Sequence, residues 1–240
     1  MLRRFCLVLL VFLSFAMDLK GEYILRENMQ KVLPGDFIVA FQNKAYTLFM
    51  IYAKENETLT IEEASVPQSM MGGNVPSWRE WFASGAPGST CWIRYKLNLQ
   101  TSQIQDAYSF TQHSWVTLSG ANNILAKLIN LNFAWIPTEE RKKAGSQPAM
   151  GLLDRRPIWQ PRLIVNGSQI PGIPFDGWKA RWPKDGSDLS SKLIEIYLPS
   201  ATSGYPGYFP YWLEVQGMVG SAKVRIIDSG SGLRSPRPPL

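Results

Sequence analysis

The sequence predicts a mainly β fold: one curved antiparallel sheet or half-barrel of about nine or ten strands, with two short helices laid against it. Three observations predict it. Short apolar segments recur along most of the chain and are separated by turn residues such as "QNK", "NGS" and "KDG". Only two stretches carry apolar residues at helical spacing, and both are short. The third is that the chain holds 2 cysteines, one of them in an apolar leader, so no internal disulfide can replace a core; 240 residues at 45% hydrophobic content are enough to build one.

The elements follow in order. Arg3 and Arg4 precede an apolar run from Phe5 to Phe15, and Ser14 and Ala16 suit a cleavage after Ala16. This predicts a secretory signal peptide over 1–16, since the run falls short of the ~20 residues that span a bilayer. Residues 17–228 are expected to form a single β-rich domain of an exported protein, in the periplasm, the cell envelope or outside the cell. Phe37 to Phe41 and Ala45 to Ala53 flank "QNK" as a hairpin, and Leu59 to Glu63 follows. The middle strand is apolar on both faces, Tyr46, Leu48, Met50 and Tyr52 against Phe49, Ile51 and Ala53, so it is covered on both sides. In "PSWREWFASGAPGSTCW" (76–92), Ser77 with Glu80 forms a capping box, and Trp78, Trp81 and Phe82 fall on one helical face. Those three rings are expected to lie on the sheet as a lid.

A hairpin over 91–112 is expected to pair Leu99 with Ile104, Tyr95 with Tyr108 and Ile93 with Phe110. That register turns Cys91 toward the core and leaves Trp92 on a polar face. A second helix is expected over Ala121 to Asn132, ended before Pro137. Residues 137–162 form a long basic loop, and later strands are expected at Leu163–Val165, Trp178–Trp182, Leu193–Leu198, Tyr211–Val215 and Val224–Ile227. The tail 229–240, "SGSGLRSPRPPL", lacks the apolar residues to build a core and is expected to be disordered.

Several chemistries are excluded by pattern. No GxSxG, HExxH, P-loop or GxGxxG occurs, and a single histidine with one remaining cysteine makes no ordinary zinc site. Cys91 and His113 would face opposite sides of the hairpin, so they form no dyad. The formal charge of +6 falls to +4 without Arg3 and Arg4, which does not point to nucleic acid. No catalytic residue, metal or cofactor is expected, and the chain is read as no enzyme; the alternative left open by the pattern is a hydrolase whose carboxylates come from distant segments.

Two groups of residues remain as candidates for binding. The loop cations Arg141, Lys142, Lys143, Arg155 and Arg156 suit an anionic headgroup or an anionic membrane surface. Trp78, Trp81 and Phe82 suit an apolar ligand. An exported β half-barrel with helices over an apolar concavity resembles, in architecture rather than in any motif, the periplasmic lipoprotein-carrier and lipid-binding half-barrel proteins. The resemblance implies an apolar or acyl ligand, or a lipidated protein, held in the concave face. The alternative is a recognition module whose surface Trp and Tyr, Trp92 and Trp212 among them, bind carbohydrate or a partner protein.

Overall fold

The computed structural model of the protein describes residues 21–72, 77–118, 123–149, 153–217 and 221–240. The signal peptide expected over 1–16 lies outside the described residues.

The first half of the chain is a meander. Helix α1 (Ile24–Met29) precedes β1 (Phe37–Gln42), β2 (Ala45–Glu55) and β3 (Thr58–Pro67). Helix α2 (Trp78–Ala83) interrupts the meander before β4 (Cys91–Asn98), β5 (Ile104–Ser109) and β6 (Ser114–Val116). The second half holds α3 (Ile124–Leu128), β7 (Ala134–Trp135), a small separate hairpin of β8 (Leu163–Val165) and β9 (Ser168–Ile170), then β10 (Phe175–Arg181), β11 (Leu193–Pro199), β12 (Trp212–Gln216) and β13 (Ser221–Gly230). Eleven of these strands form one antiparallel sheet in the order β6-β5-β4-β3-β2-β1-β13-β12-β11-β10-β7. The first and last strands therefore pair at its centre, Phe37 opposite Gly230. The sheet is open, with β6 and β7 at its two edges.

Alternation along the strands sends side chains to two faces. On the inner face one apolar cluster takes Ile38, Ile51, Ile61 and Leu97 from one wing and Ala180, Ile194, Ile196 and Leu213 from the other. A single cluster shared by both wings requires the sheet to curl around it. Leu25 and Met29 of α1 and Leu125 and Leu128 of α3 close it over. The outer face of the first wing carries a second cluster, with Phe37, Val39, Leu48, Met50, Ala64, Val66 and Trp92 beneath Trp81 and Phe82 of α2.

The expected class is what the chain adopts, and the capping box is present as read: the Ser77 hydroxyl accepts from the Glu80 N–H while the Glu80 carboxylate accepts from the Ser77 N–H. Other expectations are corrected. Among the described residues the large sheet has eleven strands, close to the nine or ten expected, and there are three helices rather than two, because α1 and several strands are too short to show a period. Helix α2 and the basic loop do not lie on the concave side. The helix packs on the outer face of the first wing, and the loop crosses the outer face of the second.

The 91–112 hairpin pairs Ile93 with Ser109, Arg94 with Tyr108 and Leu97 with Ile104, with a bulge between Arg94 and Lys96. Cys91 is exposed at the first position of β4, and Trp92, on the face read as polar, is buried at 1% exposure within the outer cluster. The expected disorder of 229–240 is also corrected. Ser229 and Gly230 complete β13, and the rest of the tail lies against the outer face with Leu233 buried.

Candidate functional site

The inner face is reached from solvent beside α1. A groove of about 570 Å³ opens between α1 and the loop that follows β11, with Ile24, Leu33, Trp178, Leu198 and Tyr205 among its walls. The loop is "SGYPGYFPYW". Its short 3₁₀ turn ends at Gly204, whose left-handed φ of 74° is the conformation glycine tolerates best. It is tied to α1 by one hydrogen bond, Asn28 Nδ2 to the Gly207 carbonyl at 2.9 Å. Leu33, in the turn after α1, is 65% exposed at the rim.

Behind this groove lies a cavity of about 20 Å³, lined by Met29, Ile38, Phe49, Ile61, Leu125 and Phe209. It has room for roughly one water, but its walls are mostly apolar. Tyr208 and Asp36 line both spaces and form the partition between them. Burial pushes the Asp36 carboxyl up, partly offset by the Leu33 N–H that it accepts at 2.8 Å. Burial raises the Tyr208 hydroxyl too, and the nearby Asp36 charge raises it further, so this phenol stays neutral. Phe209 stacks on Phe49 of β2 at 5.7 Å and plugs the inner cavity.

One ionisable pair sits deeper on the same face. Glu63 of β3 accepts a hydrogen bond from the Tyr95 hydroxyl of β4. Burial raises the Glu63 carboxyl to about 7, against a smaller opposing effect of that bond. The folded state then holds a proton that the unfolded chain releases above its ordinary carboxylate value of 4.5. Stability should therefore fall as pH rises from about 4.5 to about 7, and level off above. Glu63→Gln should flatten that slope in thermal melts taken between pH 4 and pH 8.

The residues chosen from sequence fall elsewhere. Trp81 and Phe82 are buried at 2% and 0% on the outer face, and Trp78 packs edge-on to Trp81 at 5.5 Å. They cover the sheet but border no part of the groove.

The basic loop lies over Glu195 and Glu214, which alternate with inward-facing Ile194, Ile196, Leu213 and Val215. Arg141 is buried and donates to the carbonyls of Ile136 and Phe175 and to Asp176. Lys142 bridges Glu214 and Glu195. Desolvation alone would raise the Glu214 carboxyl, but Lys142 and Lys223 outweigh it and hold the group below its ordinary value. Lys143 and Arg156 both hold Asp154, whose carboxyl the Arg156 guanidinium keeps well below the usual range. Arg155 alone of the five is exposed without a carboxylate partner among the described residues. The aromatic helix and the basic loop thus occupy different wings of the outer face.

Cys91 is exposed at the start of β4, and partial burial of its sulfur with the Glu63 charge pushes the thiol up, which disfavours a nucleophilic thiolate. Sequence reasoning missed Asp36 and Tyr208. The only mark they carry is the aromatic, Pro/Gly-rich loop, which names the region but not its partner.

Fold and site together define an open β half-barrel built on one large sheet, with a helix-covered apolar face and a groove leading to it. The family model for the CT021 protein matches residues 47–171, just over half of the chain, and the chain belongs to that family. The 2.0 Å structure of the hypothetical protein CT021 from Chlamydia trachomatis superposes with a TM-score of 0.59 at 18% identity, covering 90% of this chain and 96% of that one. LprF from Mycobacterium bovis aligns over 91% of this chain and 100% of its own at 9% identity, with a TM-score of 0.34, too low to carry a structural argument. None of the curated proteins matches. No helix of the described residues is long and apolar enough to cross a membrane.

Proposed function

We propose that the chain is an exported, non-enzymatic envelope protein that binds an apolar or acyl ligand, free or as the lipid of a lipidated protein, on the concave face of its half-barrel. The observation that carries this is the partition at Tyr208 and Asp36, with an open groove of about 570 Å³ on one side and an apolar-lined void in the largest core cluster on the other. The void is too small for a chain as it stands. Its cover, however, consists of short elements: six residues of α1, five of α3 and the aromatic loop. Short helices contribute little stability of their own and depend on packing. A chain that displaces Phe209 and Tyr208 exchanges one apolar contact set for another.

A flat row of exposed tryptophans would favour the recognition module instead. Trp115 and Trp135 are exposed, at 62% and 37%, but they stand on β6 and β7, the opposite edges of the sheet. Trp92, the ring that reading needed at the surface, is buried.

The test is titration with a fluorescent polyene fatty acid. Saturable binding is expected, with faster uptake in Tyr208→Ala. Cysteines placed at Asn28 and Gly207 in a Cys91→Ser background should block uptake when oxidised and restore it on reduction. Absence of saturable binding, or uptake indifferent to the cross-link, rejects the reading.

A further inference from the structure

The C-terminal tail is held as a peptide ligand is held. Its inward positions alternate: Leu233 is buried and Ser235 and Arg237 are half-buried, while Arg234, Pro236 and Pro238 face solvent. The root approaches the sheet closely, where the Leu233 N–H donates to the Gly35 carbonyl at 2.9 Å. A Cβ on Gly35 would meet Gly232 Cα and the Leu233 carbonyl at 3.0 Å, so only glycine admits the tail there. The bed beneath is polar at its centre and aromatic around it. Glu62 and Arg94, at 0% and 3% exposure, form an ion pair at 2.8 Å. Trp92 Nε1 donates to Glu62 at 2.7 Å, and the Arg94 guanidinium stacks 3.8 Å over Tyr52.

Both charged groups of this bed reach the tail. The Ser235 hydroxyl donates to Glu62 at 2.8 Å and accepts from Arg94 Nη2 at 3.3 Å and from the Arg237 N–H at 3.0 Å. Its capacity of one donor and two acceptors is thereby used in full. Arg94 Nη1 donates to the Pro238 carbonyl at 2.9 Å. The Arg237 guanidinium lies 4.2 Å over Trp92 and 5.6 Å from Phe110, and its buried Nε has no acceptor. Proline fixes φ, so such a segment loses little entropy on docking, which is why proline-rich peptides recur as ligands of aromatic-lined grooves.

We propose that the outer face of β2 to β5 is a binding groove for proline-rich peptides of the Ser-Pro-Arg-Pro type, filled in cis by residues 233–238 and open to the corresponding segment of a partner protein when the tail leaves. The hinge for leaving is "GSG", 230–232, where Gly232 has a left-handed φ of 75°. The partner is defined by charge complementarity. It needs a hydroxyl for Glu62, a carbonyl for Arg94 and a cation for the faces of Trp92 and Phe110. A tethered tail competes at an effective concentration of about millimolar, so the full chain must bind a free peptide weakly.

The experiment uses the full chain and a labelled peptide of residues 231–240, followed by fluorescence anisotropy. Ser235→Ala with Arg237→Ala in the chain weakens its own tail and should tighten peptide binding by about tenfold or more over wild type. The same two changes placed in the peptide should lose binding to a similar degree. Equal binding by wild type and variant, or a substituted peptide that binds as well, overturns the proposal. A second measurement needs no weakened tail. With Cys91→Ser and a fluorophore on Leu240→Cys, excess peptide should free the tail and raise its mobility; no change at about millimolar peptide overturns it also. Sedimentation is the third arm. A concentration-dependent dimer of wild type that the double variant abolishes assigns the groove to a second copy and overturns the partner peptide, whereas a monomer throughout supports it.

Discussion

Replacing Arg94 by alanine lowers the free energy of unfolding by about 3–5 kcal/mol, the cost of leaving one member of a buried ion pair alone. Glu62 has 0% exposure and would lose the guanidinium that it meets at 2.8 Å. Its remaining partners are the Trp92 indole and the Ser235 hydroxyl, neither of which carries charge. The tail would also lose its bond to the Pro238 carbonyl. Glu62→Leu combined with Arg94→Met should recover most of the loss, because a well-packed apolar pair can match a buried ionic one. Urea unfolding of the two single variants and the pair measures this. A single variant within about 1 kcal/mol of wild type would mean that the pair is hydrated and the tail lies loosely.

Trp81→Ala should cost about 3–5 kcal/mol as well, for a different reason. The ring is 2% exposed between α2 and the outer face, and its indole nitrogen donates to the Pro87 carbonyl at 3.1 Å. Truncation removes a large apolar volume and leaves that carbonyl without its donor. Fatty-acid affinity should not change, since the groove opens on the opposite face. A Trp81 that served as a lid on the ligand, as the sequence suggested, would weaken binding when truncated. Weaker binding by a variant that remains folded would return α2 to the ligand site.

What the sequence disclosed was local. The capping box of α2 depends on two residues three apart, and both hydrogen bonds are present. The hairpin register failed in two places: Leu97 rather than Leu99 meets Ile104, and between Arg94 and Lys96 β5 has one residue more than β4, which turns Tyr108 and Phe110 to the outer face. Trp92 was placed among Arg94 and Lys96 on a wet face. Arg94 is in fact buried because Glu62 stands opposite it on β3, a pairing that requires knowing the β3–β4 register. The loop cations read as free for an anionic headgroup for the same reason, as the carboxylates holding Arg141 and Lys142 come from β10, β11 and β12. Composition misjudged the tail, since "SGSGLRSPRPPL" has no core of its own and borrows one from strands far back in the chain.

The pairing of β1 with β13 has a consequence for how the chain acquires its structure. The centre of the sheet joins Phe37 to Gly230, so its defining contacts have very high sequence separation. Such contacts close late, because loop-closure entropy must be overcome before they contribute, and all-β chains dominated by them fold in roughly milliseconds to seconds. Until the last strand emerges, β1 presents an unpaired edge, and the first meander cannot finish burying its inner face. A ribosome-bound chain therefore lacks its central pairing until β13 has been synthesised. Slow closure of this kind leaves the two wings of the sheet free of one another until β1 meets β13, so the shared inner cluster forms as the last event of folding.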